Sequence, residues 1–150
     1  MLTEENKNIH NRRNARESVL KALFAENFSD ENPLCSLEKI LKTITVDDKN
    51  KSFMYDLFNK VIESSEWADK LIKNHLKNWE INRIAQVDRI LLKMGICEIY
   101  YIDKIPPKVS ITEMVEIAKI YSTDESAGFI NGVLDSIYTN YTLTKTTGKL

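Results

Sequence analysis

The stretch Ile84-Ala85-Gln86-Val87-Asp88-Arg89-Ile90-Leu91-Leu92-Lys93-Met94-Gly95-Ile96-Cys97-Glu98-Ile99-Tyr100-Tyr101 decides the fold class. Within it Ile84, Val87, Ile90, Leu91, Met94, Cys97 and Tyr101 return at helical intervals, not at the alternation of a half-buried strand. They cover well over one face, so the segment is expected to be a helix buried on two sides at the molecular centre. Asp88, Arg89 and Lys93 are expected at its more exposed positions. Just upstream, Trp79 and Ile81 stand where an apolar pair staples a chain entering a helix.

Working outward, Asp103 to Pro107 stops this helix, because proline cannot continue the hydrogen-bond ladder yet fits the first turn of the next one. Val109, Ile111, Val115, Ala118 and Tyr121 carry that next helix. Ser122-Thr123-Asp124-Glu125 then reads as helix end, N-cap and acidic first turn. The following helix carries Phe129, Ile130, Val133, Leu134, Ile137 and Tyr138, and the pattern ends after Tyr141. Gly128 and Gly132 inside it each cost about 1 kcal/mol relative to alanine, which points to close backbone approach. Towards the N-terminus, Trp67, Ala68, Leu71, Ile72 and Leu76 form one helical face, separated by Ser64-Ser65 from Phe53, Met54, Leu57, Phe58, Val61 and Ile62. Asp47 and Asp48 supply acidic cap chemistry for the latter. Leu34, Leu37, Ile40, Leu41 and Ile44 give a shorter helix, and Ala15, Val19, Leu20, Ala22, Leu23 and Phe24 the first. Residues 1–11 and 142–150 carry no period and read as frayed tails.

Composition agrees with an all-α fold of about seven helices. The chain has 150 residues, enough for one domain or two small units, with 43% hydrophobic residues to fill a core. Only 4 Gly and 3 Pro are present, too few for the frequent turns of a sandwich or barrel. No strand of alternating period survives. No apolar run reaches the roughly 18 residues of a membrane span, and the polar N-terminus does not resemble a signal peptide. Cys35 and Cys97 read as reduced thiols of a cytoplasmic protein.

Enzyme chemistry finds little footing. His10 and His75 are isolated, neither cysteine has a partner at metal-ligand spacing, and no glycine-rich phosphate loop or nucleophile elbow occurs. No cofactor or metal is expected. The more informative cluster is Arg12, Arg13 and Arg16 at the start of the first helix, neighbours on one turn. Cations there oppose the helix dipole by about 0.3–1 kcal/mol each. A solvated charge run with Glu17 as local partner is one reading; an anionic ligand that repays the cost is the other. The overall balance, 21 basic against 22 acidic residues, argues against a protein that coats nucleic acid.

These features coincide with a known family. Arg12-Arg13-Asn14-Ala15-Arg16-Glu17 followed by Lys21-Ala22-Leu23-Phe24 resembles the opening of the NusB transcription antitermination factors. Val87-Asp88-Arg89-Ile90-Leu91-Leu92-Lys93 with Glu98 resembles that family's second half, and so do Ile105-Pro106-Pro107-Lys108-Val109 with Glu113, Ala118 and Lys119. Phe129-Ile130-Asn131-Gly132-Val133-Leu134-Asp135 continues the match, which runs from about residue 12 to 138; residues 28–77 match in helical pattern only. The resemblance implies two small helical bundles, about 12–77 and 78–141, and a non-enzymatic role. It implies binding of boxA RNA as a heterodimer with the small-subunit ribosomal protein NusE, within a complex on RNA polymerase; a homodimer of the free protein stays open. Arg12, Arg13 and Arg16 then look like the RNA-binding motif, extended by Arg89, Lys93, Glu125, Ser126 and Phe129, with Asp88 as a NusE contact. Asn14 and Gly128 stand where the family often has basic residues, so positive charge is reduced at both places. The alternative is a helical protein-interaction adaptor whose arginines meet an acidic protein surface.

Overall fold

The computed structural model describes residues 7–9, 11–76 and 81–146. Seven α-helices carry the described chain: α1 (Arg12–Glu26), α2 (Leu34–Leu41), α3 (Asp48–Glu63), α4 (Ser65–Asn74), α5 (Gln86–Tyr101), α6 (Pro107–Tyr121) and α7 (Asp124–Thr146). A short 3-10 turn at Ile81–Arg83 precedes α5. Two compact units divide the chain between Glu63 and Ser64. The division falls earlier than the boundary expected near residue 77, so α4 belongs to the second unit. Trp79, the expected staple residue, lies outside the described residues.

In the first unit α1 packs on α2 and α3. Asn11 caps α1, its side-chain oxygen accepting from the Asn14 backbone N–H at 2.8 Å, which satisfies one of the helix's open donors. Asp47 does the same for α3, and Asn50 donates to it through its side-chain amide at 2.7 Å. That hydrogen bond is the main cause of an Asp47 pKa below the usual carboxylate value. Val19, Leu37, Met54, Leu57 and Phe58 form the core, each large side chain contributing about 1.5–3 kcal/mol on burial. Two sequence expectations change here. Ile44 does not extend α2, which ends at Leu41; it opens a three-residue strand, β2 (Ile44–Val46), and β1 (Lys7–Ile9) pairs with it in parallel, Asn8 opposite Thr45. The segment expected to fray therefore contributes main-chain pairing, although two short strands leave the fold class all-α.

In the second unit α5, α6 and α7 pack on one another and α4 lies against α5 and α7. Pro107 opens α6 because a missing N–H costs nothing at a helix start. Thr123 caps α7 by accepting from the Ser126 N–H at 2.9 Å. Ten residues of α5 are buried: Asp88, then Ile90 to Ile99 without Lys93, so the helix is enclosed as its pattern foretold. On α6 the buried face is Ser110, Ile111, Met114, Ile117 and Ala118, while Val109 is exposed. The glycine expectation is overturned: a methyl group at Gly128 or Gly132 would meet nothing within 4 Å. The close approach is at Gly95 instead, where a Cβ would stand 2.7 Å from a methyl carbon of Leu134. Finally, α7 continues to Thr146 where a tail was expected from residue 142. Tyr141 packs edge-on against Tyr100 at 4.4 Å, and Lys145 donates to the Tyr141 hydroxyl at 3.2 Å.

Candidate nucleic-acid interface

The two sets of candidate residues belong to different units. In the first, α1 carries Arg12, Arg13 and Arg16 one turn apart. The guanidinium of Arg12 stands 4.3 Å from the centre of the Phe53 ring, and its Nε donates to the Asn50 side-chain oxygen at 2.7 Å. Arg16 lies 5.2 Å from the same ring and is only 2% exposed. A guanidinium stacked on an aromatic face gains about 0.5–2 kcal/mol, the upper end when it is desolvated. Arg16 thus anchors α1 on α3 in this structure and presents almost no surface to a ligand. Arg12 and Arg13 remain partly exposed. The expected cluster of three surface arginines is a pair above a buried third.

In the second unit, Arg89 and Lys93 of α5 meet Asp69 of α4. Arg89 donates through Nε at 3.1 Å and through a terminal nitrogen at 3.0 Å, a bidentate pair. Lys93 stands 3.1 Å from the same carboxylate and donates to the Ser65 hydroxyl at 2.7 Å. Burial works to raise the Asp69 pKa, but the hydrogen bonds and charges of Arg89 and Lys93 outweigh it, and the carboxyl titrates below its ordinary range. Two cations share one anion, so these three side chains together carry a charge of +1.

Beside the start of α5, Arg83, Ile84, Ala85, Asp88, Glu125, Ser126 and Phe129 line one cavity of about 300 Å³. This brings Asp88, expected on an exposed position facing a protein partner, together with the three α7 residues expected on the RNA surface. Asp88 is 5% exposed, and its Oδ1 has no hydrogen-bond partner. The correction follows from the helix phase: Asp88 shares the buried side of α5 with Leu91 and Leu92. An unpaired buried acceptor costs about 1–3 kcal/mol. Four participants escaped the sequence reading: Asn50, Phe53, Asp69 and Arg83. Phe53 and Asp69 come from other helices, and only the three-dimensional packing reveals them. Among the described residues no group of His, Cys, Asp and Glu could hold a metal ion, and no helix is long and apolar enough to cross a membrane.

Comparison with known proteins places this arrangement in a lineage. The NusB family model matches residues 13–139. The chain belongs to the NusB family. It is 41% identical over 130 residues to the transcription antitermination protein NusB of Salinibacter ruber, covering 86% of this chain and 81% of that protein. Among solved structures it is similar to T. maritima NusB, with a TM-score of 0.80 and 38% identity over 87% of this chain and 92% of the other. It is also similar to a NusB structure solved as a complex of antitermination factors NusB and NusE with dsRNA, with a TM-score of 0.78 and 26% identity over 87% and 97%. The family match runs from the second residue of α1 into α7 and includes every candidate residue except Arg12, which stands one position before it.

Proposed function

We propose that this NusB family member acts in transcription antitermination in the cytoplasm, binding boxA RNA as a heterodimer with the ribosomal protein NusE within the RNA polymerase complex. The observation that supports it most is the likeness, along nearly the whole chain, to the NusB solved with NusE and dsRNA. The geometry adds a division of labour. Arg12 and Arg13 contact phosphates; Arg16, held against Phe53, fixes the turn that carries them. Arg89 and Lys93 add positive charge reduced by Asp69. Phe129, with Glu125 and Ser126, offers an aromatic face of the kind on which unpaired bases stack.

A net charge of -1 makes the long-range electrostatic contribution small, so the ribosomal partner supplies much of the affinity by tethering RNA and protein together. The test is a boxA titration with and without that partner at several salt concentrations. The double substitution Arg12→Ala with Arg13→Ala lowers affinity and flattens the slope of log K against log salt by about 0.7 per lost phosphate contact. A folded double variant with unchanged affinity and slope refutes the assignment. Capture of NusE that survives ribonuclease, with no boxA shift under any condition, would instead identify a protein adaptor.

A further inference from the structure

Arg12, the first residue of α1, is held differently from the cations of the second unit. Arg89 and Lys93 face a carboxylate, that of Asp69, whereas Arg12 meets an amide and a ring, both on α3. Its Nε donates to the Asn50 side-chain oxygen at 2.7 Å, and its guanidinium stands 4.3 Å from the centre of the Phe53 ring. Asn50 and Phe53 are three positions apart on α3 and so share a face. Neither carries a formal charge, so Arg12 is oriented without being neutralised by the groups that orient it. Asn50 is itself only 6% exposed, and its own orientation is dictated from both sides. Its amide nitrogen donates to Asp47 Oδ1 at 2.7 Å. A carboxylate only accepts and a guanidinium only donates, so the amide fits between them one way round, nitrogen to Asp47 and oxygen to Arg12. Asp47 is fixed in turn as the cap of α3, where it accepts from the Asn50 backbone N–H. Three side chains thus form a relay from the start of α3 to the Nε edge of Arg12. The relay occupies that edge and one face of the guanidinium; the terminal nitrogens complete the fork with which arginine grips phosphate.

We propose that Asn50 is a positioning residue for RNA binding: backed by Asp47, it holds the Arg12 guanidinium, with its charge retained, in the orientation that meets a backbone phosphate. This role rests on the RNA-binding reading above, and it concerns affinity, since a phosphate contact carries no base identity. An arginine that is already ordered loses little rotamer freedom when it binds, whereas an unheld one must be immobilised at that moment. Asn50 therefore strengthens RNA binding without touching RNA. The amide is also the group that suits the task, because an aspartate at the same place would still accept from Nε but would set a negative charge against the cation and compete with the phosphate.

Titrations of the full chain with boxA RNA, with the ribosomal partner present and at several salt concentrations, separate orientation from charge. Asn50→Ala releases Arg12 but keeps its charge, so affinity falls about two- to ten-fold while the slope of log K against log salt is unchanged. Asn50→Asp keeps an acceptor at Nε but offsets the charge, so affinity falls and the slope flattens by up to about 0.7, towards that of Arg12→Ala. In an Arg12→Ala background, Asn50→Ala has no further effect on affinity. In the free protein the Arg12 Nε–H resonance moves to the position of a solvated arginine in Asn50→Ala. Circular dichroism checks the helical content of each variant, and the salt slope does not depend on the folded fraction. Unchanged affinity in Asn50→Ala, an equal loss with and without Arg12, or a wild-type slope in Asn50→Asp overturns the positioning role. In each of those outcomes the wild type still binds, so the RNA reading stands; failure of the wild type to bind boxA under any condition refutes that reading and the positioning role with it.

Discussion

Arg16 illustrates how much a residue's neighbours decide its role. Its spacing from Arg12 and Arg13 was legible, but a helical wheel does not say which arginine faces the protein; Phe53 on α3 does. Arg16→Ala should therefore lower the unfolding free energy in urea by about 1–3 kcal/mol through lost packing and an unpaired environment. A variant as stable as the wild type would show that the ring contact contributes nothing. The glycines offer a second contrast. Gly132→Ala gains helix propensity with no steric cost and should stabilise by up to about 1 kcal/mol. Gly95→Ala drives a methyl into fully buried Leu134, where overpacking of about 1–3 kcal/mol cancels or exceeds the same gain. Matching thermal shifts for the two would contradict this placement. The sequence pointed to Gly128 and Gly132 rather than to Gly95, the glycine in close contact, because propensity penalties are local and close approach is not.

At the scale of elements, Asp69 ties α4 to α5 through Arg89 and Lys93. Its folded pKa lies below the unfolded one, so its contribution to stability is fully present above the ordinary aspartate value of about 3.9. That contribution is lost as pH falls through the lower folded value, where protonation breaks both pairs. Asp69→Asn should accordingly show a shallower loss of stability below about pH 4 than the wild type, measured by urea midpoints across the acid range; parallel profiles would remove Asp69 from the account. Element types were readable because long amphipathic helices repeat their signal several times. The caps at Asp47 and Thr123, and Pro107 in the first turn of α6, stand where side-chain chemistry put them. The two strands were not readable, since three residues are too few to display alternation and their pairing partners lie far apart in the chain. The end of α7 was missed for a related reason: it continues because Tyr141 finds Tyr100, a contact without a local signature.

For the whole molecule, the charge sum conceals its distribution. A net charge of -1 still speaks against indiscriminate coating of nucleic acid, but it is compatible with a small cationic surface at Arg12 and Arg13 and a partly neutralised one at Arg89 and Lys93. Neither cysteine is in a disulfide; Cys35 is half-buried and Cys97 buried. A thiol reagent should titrate one group in the native protein and both after denaturation; rapid native labelling of two would mean that α5 opens readily. That helix sets the kinetic hierarchy of the second unit. Ten of its sixteen residues are buried, so solvent deuterium reaches its amides through cooperative opening of the unit, while those beyond Tyr141 in α7 exchange by fraying. Mass-resolved exchange would consequently display α5 as the last segment of the second unit to acquire deuterium, a protected spine that outlasts the fraying of its neighbour.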